Sequence, residues 1–177
     1  MNLLVLLASS PVADALPEVA KAASDWESFD VVLGKLFVIG LLVFLNAFFV
    51  ASEFALVKLR TTQLEPLIEE GDSRAVAGKQ ILENLDAYLS ACQLGITLAS
   101  LALGWVGEPF LARLIEPLFY AIGITNAALI HAIAFTIAFS LITVAHIILG
   151  EQAPKILAIR KPLSVTLWLS KPLRLFY

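Results

Sequence analysis

Apolar residues gather along this chain in three long runs separated by polar connections. The first runs from Leu36 to about Val57, with Lys35 before it and Lys58 and Arg60 after it. The second, Ala87 to Val106, contains no charged residue, and the third runs from Ala127 to Leu149. About 20 mainly apolar residues cross a bilayer as a helix. The pattern therefore predicts three transmembrane helices, at about 36–57, 87–106 and 127–149.

Polar positions inside these runs are not scattered. Asn46 and Glu53 are seven residues apart, nearly two helical turns, and so share a face, with Ser52 beside Glu53. An intramembrane carboxylate is costly, so that face should point into a bundle or a polar cavity. In the second run Ala87, Ala91, Gly95 and Ala99 recur every fourth residue. Such small residues let another helix backbone approach. Ser90, Gln93, Thr97 and Ser100, at spacings of 3, 4 and 3, form a polar stripe on a neighbouring face. Each alone reads as interhelical hydrogen-bond glue; four opposite Asn46 and Glu53 favour a polar lumen. In the third run Thr136, Ser140 and Thr143 have helical spacing, and their phase carried forward reaches Gly150, Glu151 and Pro154.

The connections have their own signals. Residues 61–83 hold Pro66, then Glu69-Glu70-Gly71-Asp72, and read as a helical hairpin with Gly71 as C-cap and Asp72 or Ser73 as the next N-cap. Residues 107–126 carry Pro109 and Pro117 among apolar residues and predict a short helix lying on the membrane. Pro162 predicts a helix start, and residues 162–175, too short to span, read as a juxtamembrane helix anchored by Trp168. The apolar run Leu3–Leu7 is brief and lacks a basic start, unlike a signal peptide. Residues 1–30 are therefore expected to form an extracytoplasmic segment. The sequence stops at Tyr177 without a terminating signal, as a fragment of a longer chain would.

Composition agrees with a membrane protein. Only 15% of the 177 residues are charged and 59% are hydrophobic, against about 25% charged in soluble domains. A net charge of -3 gives no reason to expect nucleic acid. The single cysteine, Cys92, excludes an intrachain disulfide and should pack as a small hydrophobe. Neither GxxxxGK[ST] nor HExxH occurs, which argues against nucleotide hydrolysis and zinc proteolysis. Of the twelve Lys and Arg residues, nine fall in 58–86 and 150–177. The positive-inside rule puts those segments, and the C-terminus, in the cytoplasm and the N-terminus outside.

The stretch Gly150-Glu-Gln-Ala-Pro-Lys155 concentrates the candidate chemistry. Pro154 has no N–H and cannot bond the carbonyl four residues back, that of Gly150. A bare carbonyl next to the Glu151 carboxylate offers oxygen ligands to a hard cation. Alone, the stretch reads equally as a helix end whose Glu faces water. His131 and His146 read first as packing or interfacial histidines, and His146 lies near the Glu151 turn.

Three motifs in order resemble the CNNM/CorC family, in the membrane part once called the DUF21 domain. They are Asn46-Ala-Phe-Phe-Val-Ala-Ser-Glu-Phe-Ala-Leu-Val-Lys-Leu-Arg60, then Gln93-Leu-Gly-Ile-Thr-Leu-Ala-Ser100 with Leu103-Gly-Trp-Val-Gly-Glu-Pro109, then Gly150–Lys155. The resemblance covers about residues 35–177. It implies an all-α membrane domain (31–177) with three spans per subunit, a cytoplasmic helical hairpin and a belt-like juxtamembrane helix, assembled as a homodimer in membrane lipid. It also implies magnesium transport, commonly described as sodium-coupled efflux, so Mg2+ and Na+ are the expected ions. By motif the implied ligands are Asn46, Ser52, Glu53, Ser90, Gln93, Ser100, Gly150 and Glu151. Many relatives have serine where this chain has Val50, and the eukaryotic branch has asparagine in the second span where this chain offers Gln93 and Ser100. Full-length relatives continue into a paired CBS regulatory module, which binds adenine nucleotide and is not part of this chain.

The expectation is a transporter and not an enzyme. An ion-sensing or scaffold module is the alternative. An intramembrane enzyme built on His146 and Glu151 lacks both HExxH and a GxGD-like pair.

Overall fold

The computed structural model describes residues 28–124 and 126–177. Residues 1–27, most of the expected extracytoplasmic segment, lie outside it. The described residues are helical throughout, without strands, and three helices are long and apolar enough to cross a membrane.

Helix α1 is Phe29–Lys58. A 3-10 turn, Thr61–Gln63, and two short helices follow, α2 (Glu65–Glu69) and α3 (Ser73–Glu83). The expected caps are present. Gly71 takes a φ of +84°, the left-handed value glycine adopts freely. Around it Asp72 N–H donates to the Leu67 carbonyl and Gly71 N–H to that of Ile68, closing α2 as a Schellman motif. Asp72 then N-caps α3, its carboxylate accepting from Arg74 N–H at 2.8 Å. The Arg74 side chain also donates to it, which holds the Asp72 carboxyl well below its usual range, at about 2.

Helix α4 runs unbroken from Leu85 to Ala121, through Pro109 and Pro117. The short helix expected over 107–126 is therefore not separate but continuous with the second long helix as far as Ala121. A proline inside a helix forfeits one hydrogen bond, and membrane helices tolerate it when neighbours restore the lost contacts. Continued packing supplies a reason here. Leu111, Ala112, Ile115 and Phe119 of α4 meet Ala134 and Ala138 of the next helix. α4 ends at Gly123, whose φ is +87°.

Helix α5, Ala127–Ala145, is N-capped by Asn126, whose Oδ1 accepts Leu129 N–H at 3.1 Å. It opens into a wide π-turn, His146–Gln152, and continues as α6, Ala153–Arg160. The third long helix is therefore Ala127–Arg160 and does not stop at Leu149. Pro154 sits in the first turn of α6, where its missing N–H is tolerated. α7, Pro162–Phe176, begins at a proline as expected.

The described residues separate into two compact units, 28–39 with 104–143, and 40–103 with 144–177. In the first, α4 and α5 pack through small alanines, Ala112, Ala134 and Ala138. Lys35 Nζ lies 5.4 Å over the Phe110 ring, and His131 Nδ1 is 2.9 Å from Glu116 Oε1. In the second, Phe49 and Leu56 of α1, Ile81 of α3, Tyr88 and Cys92 of α4 and Leu173 of α7 form one apolar cluster. Cys92 is buried there as a small hydrophobe. Ala51 and Ala55 meet Ala158 and Leu169 in another. The last two residues close the unit, with Phe176 against Phe49 (ring centroids 4.6 Å apart) and Tyr177 against Tyr88 (4.3 Å).

The small-residue seam of α4 is only partly as expected. Gly95 and Ala99 are buried, while Ala87 and Ala91 are half-buried. The buried line is Tyr88, Cys92, Gly95, Ala99 and Leu103. At Gly95 a Cβ would come within 2.6 Å of the Phe49 ring, so glycine is what allows that aromatic to lie against α4.

Candidate functional site

The wide turn creates the site. A π-turn closes i→i+5 bonds and holds an extra residue per turn. Here Ala153 N–H donates to the Ile148 carbonyl, five residues back. The 3.6-residue phase expected to carry Thr136, Ser140 and Thr143 into Gly150 does not run through such a turn. Thr136 and Ser140 are exposed, and each donates to its own helix four residues back, at 2.8 and 2.7 Å. Gly150 is buried.

The Gly150 carbonyl cannot receive an α-helical bond from Pro154, which has no N–H. It accepts instead from the side-chain amide of Asn46, Nδ2 to O at 3.0 Å, across 104 residues of sequence. Asn46 is completely buried in α1. With Nδ2 donating to Gly150, its Oδ1 is left as acceptor and takes the Ser100 hydroxyl of α4 at 3.1 Å. A serine hydroxyl has one proton. Once that proton is given to Asn46, Ser100 Oγ must accept from the His146 ring, whose Nε2 is 3.2 Å away. Local hydrogen counting thus assigns His146 the Nε2–H form and orders the network from His146 to Ser100 to Asn46 to Gly150. Glu151 Oε1 lies 3.8 Å from His146 Nε2, close in charge but beyond a hydrogen bond. The fit is tight. A Cβ on Gly150 would fall 2.9 Å from His146 Cδ2 and 3.1 Å from Asn46 Nδ2.

Of the eight residues singled out by sequence, three therefore share one network, Asn46, Ser100 and Gly150, and Glu151 lies beside it. Glu53 and Gln93 form a second pair, with Gln93 Nε2 donating to Glu53 Oε1 at 3.4 Å. Seven residues along α1 is about 10 Å of rise, so this pair does not share a coordination sphere with Asn46. Ser52 and Ser90 join neither group. Ser52 is buried and donates to the Phe48 carbonyl at 2.8 Å; Ser90 donates to that of Asp86 at 2.9 Å. Thr97 does the same with Gln93, so the polar stripe of α4 reaches α1 only through Gln93 and Ser100. Val50 is buried and apolar.

His146 belongs to the network as a hydrogen-bonded histidine near the Glu151 turn. The signal was its position four residues before Gly150, which puts both on one side of the turn. Lys155 is a further participant, its Nζ 4.6 Å over the Phe54 ring, tying the start of α6 to α1. Among the described residues no three His, Cys, Asp or Glu side chains cluster as a metal cage. The site is built mainly from neutral oxygens, with one carboxylate at each of its two stations.

The sequence matches the family described as the cyclin M transmembrane N-terminal domain over residues 37–177. The chain belongs to the CNNM family. It is 49% identical over 143 residues to the UPF0053 protein YugS of Bacillus subtilis, covering 81% of this chain and 33% of YugS. It is 48% identical over 145 residues to YhdT of the same organism, covering 82% of this chain and 31% of YhdT. YhdP, also from B. subtilis, is 46% identical over 143 residues, 81% of this chain and 32% of its own length. The chain thus spans about a third of the length of these curated relatives. Family and fold together make this an all-α membrane domain of the CNNM family, with three helices long and apolar enough to cross a membrane.

Proposed function

We propose that this CNNM domain carries Mg2+ across the plasma membrane, as sodium-coupled efflux, from a polar cavity open to the cytoplasm in a homodimer. The observation that supports this reading most is the Gly150 carbonyl, freed by Pro154 and met by Asn46, with Ser100, His146 and Glu151 beside it. Mg2+ takes near-octahedral oxygen, keeps several waters and usually one or two carboxylates. Asn46 Oδ1, Ser100 Oγ and the Gly150 carbonyl supply neutral oxygens, and Glu151 a single charge. These groups now bond one another. Binding an ion would exchange those bonds for ion contacts, with Asn46 turning its Oδ1 toward the Gly150 side. Glu53 and Gln93 would form a second station toward the cytoplasm, in the orientation that the nine-to-three split of Lys and Arg favours. The wide turn is the flexible part, because a π-turn converts to α by shedding one residue from its loop.

Magnesium binding by calorimetry tests the site: Asn46→Ala and Glu151→Ala should each weaken it at least about tenfold, or about 1.4 kcal/mol. Unchanged affinity in Glu151→Ala would remove that carboxylate from the ligand set. Flux into or out of proteoliposomes under an imposed sodium gradient tests transport. The alternative, a cation-sensing or scaffold module, is favoured by one feature: the network joins α1, α4 and the wide turn with both the amide nitrogen and the amide oxygen of Asn46 engaged. Binding without flux in the whole protein would select it. A paired CBS module, implied by family likeness as the regulatory partner, belongs to the same proposal.

A further inference from the structure

From Gln152 to Tyr177 the chain carries Lys155, Arg160, Lys161, Lys171 and Arg174 and no Asp or Glu. Lys155 is engaged with Phe54. The other four are exposed, and none forms an ion pair among the described residues. On α7 the side facing the protein is Thr166, Leu169, Ser170 and Leu173. Ser170 Oγ donates to the Arg74 carbonyl of α3 at 3.2 Å, which fixes the roll of the helix. Ser164, Trp168, Lys171 and Leu175, at spacings of 4, 3 and 4, then form the opposite stripe, with Arg174 on its flank. Trp168 is 75% exposed and Leu175 90% exposed.

We infer that this outer face of α7 is a docking surface for anionic phospholipid headgroups at the membrane surface. The inference rests on the chain being a membrane protein and goes beyond the cation site. An indole and a leucine with a lysine between them match the depth profile of the interface, where tryptophan sits at headgroup level. Lysine and arginine pair with phosphate, and the guanidinium can do so through two parallel hydrogen bonds. Four free cations with no nearby acid in sequence favour a negatively charged surface over a zwitterionic one. Ser170, held by the α3 backbone, makes the orientation of this face a property of the folded domain.

The test reconstitutes the full chain in vesicles of phosphatidylcholine and phosphatidylglycerol, with Trp26→Phe and Trp105→Phe leaving Trp168 as sole indole. Quenching by brominated phosphatidylglycerol is compared with quenching by brominated phosphatidylcholine at equal mole fraction. The expected result is stronger quenching by the anionic lipid, a preference weakened by high salt. Lys171→Gln with Arg174→Gln should bring the ratio toward unity, by up to about fivefold for each cation removed. Lys171→Arg with Arg174→Lys should keep it. Equal quenching by both lipids in the parent would overturn the inference, as would a preference that survives the glutamine pair or is lost in the charge-conserving pair. Absence of quenching by either lipid would also overturn it, since the face would then be covered by protein, a second copy included.

Discussion

The unit of residues 28–39 with 104–143 and the unit of 40–103 with 144–177 both contain long apolar helices with polar side chains bonded to their own helix, but in the second some polar groups also join a buried network between helices. In the first, Thr136 and Ser140 return their protons to their own helix, and α4 and α5 meet through alanines. In the second, Asn46, Ser100 and His146 reach between helices and end on a backbone carbonyl whose i+4 donor is missing because residue 154 is proline. A serine or threonine in a membrane helix satisfies itself by default at i−4. What draws side chains across is a defect in the ladder of another helix, here the proline-bearing wide turn.

Substitutions can break that contrast, and the largest expected effect is at glycine. Gly150→Val should lower stability by about 1–3 kcal/mol through overpacking and abolish magnesium binding, because even a Cβ meets Asn46 and His146. Gly104→Ala in the other unit meets nothing within 4 Å and should stay within about 0.5 kcal/mol. Thermal unfolding in detergent with calorimetry on the same samples checks both. Equal losses would mean that the tight site is not special.

Next comes the amide. Asn46→Leu leaves the buried Gly150 carbonyl without its donor and Ser100 without its acceptor, for an expected loss of about 1–3 kcal/mol. Thr136→Ala and Ser140→Ala remove only bonds within one helix and should cost less than about 0.5 kcal/mol each. A measurable stability loss at Ser140 would show that its hydroxyl does more than bond its own helix. Ala138→Leu sharpens the comparison from the other side. Crowding the Ala112–Ala134–Ala138 contact should lower the unfolding midpoint while leaving magnesium affinity unchanged.

The smallest effect is at the α3 cap. The Asp72 carboxyl is held at about 2, below its ordinary 3.8, by Arg74. Its contribution is therefore complete above about pH 4 and lost as pH falls through about 2. Asp72→Asn should remove that acid-side dependence from α3, lowering its protection above about pH 4 and leaving it unchanged below about pH 2. Amide exchange of α3 compared at pH 3 and pH 5 reads it.

Reading from sequence worked where the cause is local. The three apolar runs, the Gly71 and Asp72 caps and the start of α7 at Pro162 all follow from nearest-neighbour chemistry. Asn46, Gly150 and Glu151 were legible as candidates because a buried amide, a proline four residues after a glycine and an intramembrane carboxylate are each costly without a partner. The extent of α4 was not legible. Pro109 and Pro117 look like stops until Ala134 and Ala138 pack against the turns around them, and that reward comes from residues distant in the chain.

The same division holds for the site. The sequence by itself determined that the Gly150 carbonyl would lack its α-helical donor, since proline has no N–H wherever the chain folds. Only the tertiary structure decided that Asn46 would be that partner and that Ser100 and His146 would complete the network. It likewise separated Glu53 and Gln93 from them and left Ser52 and Ser90 bonded to their own helix. The wide turn is the physical reason. By adding a residue to one turn it changes which side chains share a face, and a 3.6-residue count along the chain cannot anticipate that.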